Sequence, residues 1–155
     1  MWKGHTISHH GTYAPDEHYT QDDTNKKEVL TFSWYEGPLI IISSTLVFYA
    51  FDIFARALLG LNLNVFADVI GAVIAFSLYY TAYEWMHAIM HVPGKWSWIR
   101  STGVMVWLNR RHYQHHINPR TNFNVILPIA DFVLGTNCPL PRKQWKIADA
   151  FDNKK

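Results

Sequence analysis

Residues 37–51, GPLIIISSTLVFYAF, hold no charged side chain, and with Asp52 and Arg56 four apart and able to neutralise each other on one helix face, the apolar run extends from Pro38 to Leu59. Those 22 residues, at a helical rise of about 1.5 Å, reach about 33 Å, the thickness of a bilayer's hydrocarbon core. A second run, Leu63 to Met86, carries only Asp68 near its start and Glu84 near its end. Gly60, Leu61, Asn62, Leu63 and Asn64 between the runs read as a tight turn, because Gly and Asn stop helices. The pattern predicts two membrane-spanning helices, 38–59 and 63–86, joined as a hairpin. A buried hairpin in a soluble bundle is the competing reading, since Asp52, Arg56 and Asp68 are costly in hydrocarbon unless paired.

The flanking charges orient the hairpin. Lys3, Lys26 and Lys27 precede it, ten Lys and Arg follow it, and the turn has none, so both polar arms and both termini are expected on the cytoplasmic side. Trp34 and Tyr35 before the first span, and Trp85, Trp96 and Trp98 around the end of the second, fall where an interfacial aromatic belt belongs. Met1 to Tyr35 contains no apolar core of the length a cleavable signal peptide needs. Beyond the hairpin, Lys95 to His116 is aromatic and basic with helical spacing and reads as one or two interfacial helices. Pro119, Pro128, Pro139 and Pro141 then divide the remainder into a loop, a short element from Asn122 to Leu134, and an irregular tail over 137–155. The expected fold is an all-α membrane protein: a transmembrane hairpin with a cytoplasmic helical cap, the functional region covering residues 1–136.

Composition narrows the chemistry. A formal charge of +2 in 155 residues leaves no polybasic block to track a phosphate backbone, which excludes nucleic acid as the expected partner. Cys138 is the single cysteine, so neither an internal disulfide nor a Cys-based zinc ribbon can form. Nine histidines are about three times ordinary usage, and eight of them cluster: His5, His9 and His10; His87 and His91; His112, His115 and His116. On a helix, residues three and four apart share a face, so each cluster can aim two or three imidazoles at one spot. Eight imidazoles exceed the three or four ligands of one zinc site and, without thiolates, suit a pair of first-row ions. Two redox metals at a bilayer surface suit oxygen activation on a lipid; iron is the natural choice, and zinc can occupy such ligands in a purified sample.

The string YEWMHAIMH, followed some 20 residues later by RRHYQHHINPRTNFNVILPIADFVLGT, resembles the fatty acid hydroxylase and sterol desaturase superfamily of integral membrane di-iron enzymes. In that family an HxxxH box at the end of a transmembrane helix is followed by HxxHH and a closing signature, matched here by Asn122, Phe123, Pro128, Asp131, Gly135 and Thr136. HTISHHGTYAPDEHY looks like the family's first box, so the resemblance covers roughly residues 5–136. Two departures stand out. Family members usually carry another transmembrane hairpin before the first box, making this chain either a minimal or a truncated member, and the usual GV of the closing turn is Asn124-Val125.

The resemblance implies an oxidoreductase in which two ferrous ions, held by the three boxes, activate dioxygen to hydroxylate or desaturate a fatty acyl, sterol or carotenoid-like lipid. Electrons would come from a separate donor protein, in keeping with the lack of a GxGxxG nucleotide fingerprint. Glu84, Asp131 and Asn122 are candidates to orient ligand imidazoles, with a bilayer-edge carboxylate and turn chemistry as the plainer readings of Glu84 and Asn122. His18 is either a further ligand or an exposed loop histidine. Two rivals remain: a non-catalytic metal-binding relative, and a haem-binding membrane electron carrier, which needs single axial histidines on facing helices rather than HH dipeptides. Cysteines placed at Asn62 and Lys154 should label from opposite sides of the membrane; labelling from one side would overturn the hairpin topology.

Overall fold

A computed structural model of the chain describes residues 8–15, 19–20, 30, 32–60, 64–92 and 96–150. Every regular element among them is helical: α1 (His10–Thr12), α2 (Glu36–Leu59), α3 (Val65–His91), α4 (Ser97–Arg100), α5 (Gly103–Ile117), α6 (Ile129–Val133), a 3-10 turn (Arg142–Gln144) and α7 (Trp145–Ala148). The chain divides into two compact units, one of Phe32–Ala82, the other of Met1–Thr31 with Tyr83–Lys155. The boundary falls within α3.

In the first unit, α2 and α3 are long and apolar enough to cross a membrane, and only 6% of the most apolar window of each is buried. Leu46, Val47, Phe51, Phe54 and Leu58 on α2 and Phe66, Ile74 and Leu78 on α3 are all exposed. A core helix of a soluble bundle would hide these side chains, so the apolar surface argues against that reading. Contacts between the helices fall in antiparallel order. Near the start of α2, a Cβ on Gly37 would lie 2.7 Å from the Tyr80 ring, so only glycine admits this approach. Phe48 meets Phe76 with ring centroids 6.5 Å apart. At the far end Arg56 pairs with Asp52 at 2.7 Å and also with Asp68, so one cation offsets the two carboxylates at this end of the runs.

Local signals account for the ends. Gly60 closes α2 in the left-handed conformation, φ 65°, its N–H donating to the Arg56 carbonyl. Asn64 caps α3, its Oδ1 accepting from the N–H groups of Phe66 and Ala67 at 3.1 and 3.3 Å. Leu61, Asn62 and Leu63 of the expected turn lie outside the described residues. The second helix does not stop at Met86 but runs on through His91, since HAIMH contains no helix breaker before Pro93.

In the second unit, Ile89 and Met90 of α3 pack with Met105 and Leu108 of α5 and with Val125. The Arg100 guanidinium donates to the carbonyls of Ile89 and Val92, closing the end of α3. The stretch read as Asn122–Leu134 is mostly loop, with only α6 helical. The tail read as irregular instead contains the 3-10 turn and α7, which join a second cluster of Tyr19, Tyr113, Leu140 and Ala148, with Trp145 against it. Asn109 Nδ2 donates to the Ala148 carbonyl at 2.8 Å and Arg110 pairs with Asp149, so α5 organises the tail. Elements this short carry no periodicity, and their order comes from α5.

Arg56→Met should leave Asp52 and Asp68 uncompensated and destabilise the chain by about 3 kcal/mol, read as a lowered Tm in detergent. Adding Asp52→Asn and Asp68→Asn to the same chain should recover most of the loss, because no buried charge is then left alone.

Candidate metal centre

The carboxy-terminal half of helix α5 is buried all round. Arg111, His112, Tyr113, Gln114, His115 and His116 are six consecutive buried residues, five of them strongly polar, in a helix that Thr102 caps by accepting from Met105 N. A helix hidden on every face is normally apolar, so each polar group here needs a partner. Asn109 Oδ1 accepts from the Tyr19 hydroxyl at 2.8 Å, and the Tyr113 hydroxyl donates to the Pro15 carbonyl at 2.7 Å. Arg111 donates to Asn137 and to Asp131, and His115 Nδ1 lies 2.7 Å from the Thr121 carbonyl. His112 and His116 face one another and the other histidines.

His87 and His91, one turn apart on α3, meet His112 and His116, one turn apart on α5, and His9 closes the group from the amino-terminal arm. The ligand nitrogens of these five buried histidines lie within 4.8 Å of one another, an arrangement that could hold a metal ion. His87 Nε2 is 3.1 Å from His9 Nε2, and His112 Nε2 is 2.9 Å from His91 Nε2 and 3.1 Å from His116 Nε2. Imidazoles at about 2.1 Å from one ion, at angles near 90°, have nitrogens about 3 Å apart.

Ordinary two-centre hydrogen bonding fits these contacts poorly. His91 Nδ1 is 2.8 Å from the Tyr19 carbonyl, which can only accept, so Nδ1 carries the proton and Nε2 of the neutral ring presents a lone pair. If His112 Nε2 donates its proton to that lone pair, it has no lone pair left for His116 Nε2. If it keeps a lone pair instead, it opposes that of His91. A cation among the nitrogens satisfies all of them together.

The surroundings favour the neutral form of the rings on α5. Burial, and then the neighbouring imidazoles beginning with His116, push His112 well below the ordinary histidine value; burial followed by His91 does the same to His116. Burial also lowers His115, against the pull of the Thr121 carbonyl and Asp131. Neutral imidazole is the form that binds a metal. Tyr13 and Tyr19 wall the group, their rings 4.5 and 4.8 Å from that of His91. Burial raises the Tyr19 phenol well above its usual value, so it stays protonated and donates to Asn109.

The remaining candidates take different places. His10 and His115 stand beside the five, His10 stacking on His116 at 4.3 Å and meeting His115 at 4.8 Å. His5 and His18 lie outside the described residues. Glu84 is half-buried on α3, three residues before His87. Asp131 accepts from the N–H groups of Phe123 and Asn124, the Thr136 hydroxyl and Arg111, so it shapes the closing loop. Burial opposes its charge, but the Thr136, Asn124 and Phe123 hydrogen bonds and Arg111 hold its carboxyl below the usual range. Asn122, at φ 50°, donates to the carbonyls of Arg111 and Cys138 and accepts from Cys138 N, fastening that loop to α5. Sequence reasoning placed Tyr13 only in the turn that follows the first box and gave Tyr19 no role; a further signal is that Tyr13 follows His9 by four residues.

Comparison of the chain with protein-family models, with curated proteins and with solved structures finds no match in any of the three.

With folded values of His112 and His116 depressed, stability is full above the ordinary imidazole value of about 6.5 and declines as pH falls below it toward the folded values, where the unfolded chain takes up protons the buried rings refuse. Chelator-treated protein should therefore denature at lower urea at pH 5.5 than at pH 7.5. His112→Gln should shrink that difference, and should also lose the added stability that a first-row divalent ion confers on the unaltered chain.

Proposed function

We propose that the chain is a membrane-bound metalloenzyme that uses dioxygen to oxidise a C–H bond of a lipid, with iron at the histidine cluster. The observation that carries this reading is the meeting of five buried imidazoles from three separate segments, with neither thiolate nor carboxylate among them. Five nitrogens exceed the three or four protein ligands usual for zinc, and imidazole suits iron. The order and spacing of the boxes, as in the fatty acid hydroxylase and sterol desaturase superfamily, point the same way.

Iron bound there would supply reductive activation of dioxygen and removal of hydrogen from an unactivated carbon. The chain's own part is to hold, orient and keep dry. The Tyr19 carbonyl fixes the tautomer of His91, and the Thr121 carbonyl does the same for His115, presenting Nε2 in each ring. The rings of Tyr13 and Tyr19 cover the cluster against water. For a two-iron centre, His10 and His115 beside His116 are the additional donors, with His5 completing the first box. The second candidate span and the second histidine pair share one helix, so a lipid-embedded α3 would carry its ligands at its end. Both arms then belong on the cytoplasmic face by the charge rule, where a separate electron donor has access.

A non-catalytic protein holding one ion is the second reading, favoured by the compactness of the five nitrogens, which fit around a single ion. The haem alternative fits less well, because a porphyrin needs a flat slot between two imidazoles and here five crowd one point.

Lipid mass spectrometry of a host producing the chain should show a species gaining one oxygen or losing two hydrogens, absent with His91→Ala or His112→Ala, while the purified protein carries two irons per chain. One ion per chain with no lipid change would instead establish the metal-binding reading.

A further inference from the structure

Around α6 the usual arrangement of a surface helix is reversed. Its one charged residue, Asp131, is buried, while Phe132, Val133 and Leu134 are 57%, 79% and 72% exposed and Leu127 and Ile129 are exposed before them. Water would favour the opposite, so this apolar knob is made for another surrounding. It is also held rigid: Asp131 takes four hydrogen bonds from the loop and from Arg111, and the N–H groups of Thr136 and Asn137 donate to its carbonyl. The Arg111 guanidinium lies 5.2 Å over the Trp107 ring and 5.4 Å over that of Phe132, extending the patch onto α5, where Trp107 and Val104 are exposed.

Charge identifies the occupant. Between residues 121 and 141 Asp131 is the only charged side chain, and the exposed Arg120 on one side and Arg142 and Lys143 on the other bound the run in sequence. Residues 96–150 hold seven Lys and Arg against two acids, one of them the buried Asp131 and the other, Asp149, paired to Arg110. Apolar and aromatic side chains flanked in sequence by exposed cations are the pattern of a surface that dips into acyl chains while its cations meet lipid phosphates. We propose that the knob Leu127–Leu134, with Val104 and Trp107, inserts into the headgroup and acyl boundary of an anionic bilayer, a membrane contact separate from the spans α2 and α3. Phe123, exposed at the edge of the knob and 6.1 Å from the His115 ring, would bring that lipid surface within one side chain of the histidine cluster. The proposal shares with the functional reading only the membrane setting and requires no oxygen chemistry.

The test uses nitroxide labels on the full chain with Cys138→Ser, in nanodiscs of phosphatidylcholine and phosphatidylglycerol, reading collisions with oxygen, which concentrates in the bilayer, and with a nickel chelate, which stays in water. Val133→Cys and Leu134→Cys labels should favour oxygen severalfold over a Lys146→Cys label. A Val133 label as open to nickel as that at Lys146 would overturn the proposal. A label shielded from both reagents would also overturn it, by indicating a protein partner or a second copy. Phe51→Cys on α2 separates the two membrane claims: oxygen preference at Phe51 with nickel access at Val133 removes the knob alone, and nickel access at Phe51 removes the span.

Discussion

Everything in the histidine-bearing unit depends on one electrostatic constraint: five imidazoles are buried with their nitrogens turned toward one another. Lone pairs meeting in a dry interior repel, and protonating the rings instead would place several like charges together without water. The fold nonetheless holds two i, i+4 pairs face to face, and the helix that carries one pair has Met105, Leu108 and Tyr113 as its only buried hydrophobic side chains. A cation among the nitrogens would turn the same geometry from a liability into a source of cohesion and would link the stability of this unit to the concentration of the ion.

That constraint explains how the rest of the unit is built around α5. Tyr19, Ala148, Pro15, Thr121 and Asn137 each supply a hydrogen-bond partner to a buried polar group of that helix, and they come from both arms of the chain. Arg111 and Asp131 are both buried, and removing either would strand the other, so the closing loop is bound to the helix beside the ligands. The loop then returns through Asn122, whose left-handed backbone lets one amide bond two carbonyls and an N–H. These contacts fix ring orientation as much as they stabilise the fold, since an imidazole turned by a bond rotation no longer aims at the common point.

The long features were legible in the sequence because their signals are local. Long apolar runs with few charges marked α2 and α3 to within a few residues, except where α3 continues through the histidine pair; there composition changes but helical propensity does not. The i, i+4 spacing identified His87 with His91 and His112 with His116, since helix geometry alone places such residues on one face. His10 and His115 shared the same spacing logic, yet neighbouring positions on a helix diverge in direction, and these two stand beside the five rather than among them. Asp131 could not be placed from spacing at all, because its partners are backbone groups whose approach depends on a loop conformation. The tail around Trp145 was read as irregular for the same reason: its order lies in Asn109, Arg110 and Tyr113, more than thirty residues away.

Charge balance gives the cluster its chemical character. A dication held by imidazoles alone keeps its full charge, because neutral nitrogen donors share electron density without cancelling it, whereas each carboxylate ligand removes one unit. In a buried site that charge is poorly screened, and the buried Arg111 nearby is already balanced by Asp131. Asp131 cannot offset it, being committed to Arg111 and three loop donors. The carboxylate nearest a ligand along the chain is Glu84, half-buried one turn before His87. An ion in such a pocket has a strong demand for an anionic or polarisable ligand from outside the protein, and for electrons that lower its own charge. A purely structural site is better served by ligands that neutralise their metal. The absence of carboxylate and thiolate from the five would therefore suit the proposed centre, which takes up an exogenous ligand and a reductant.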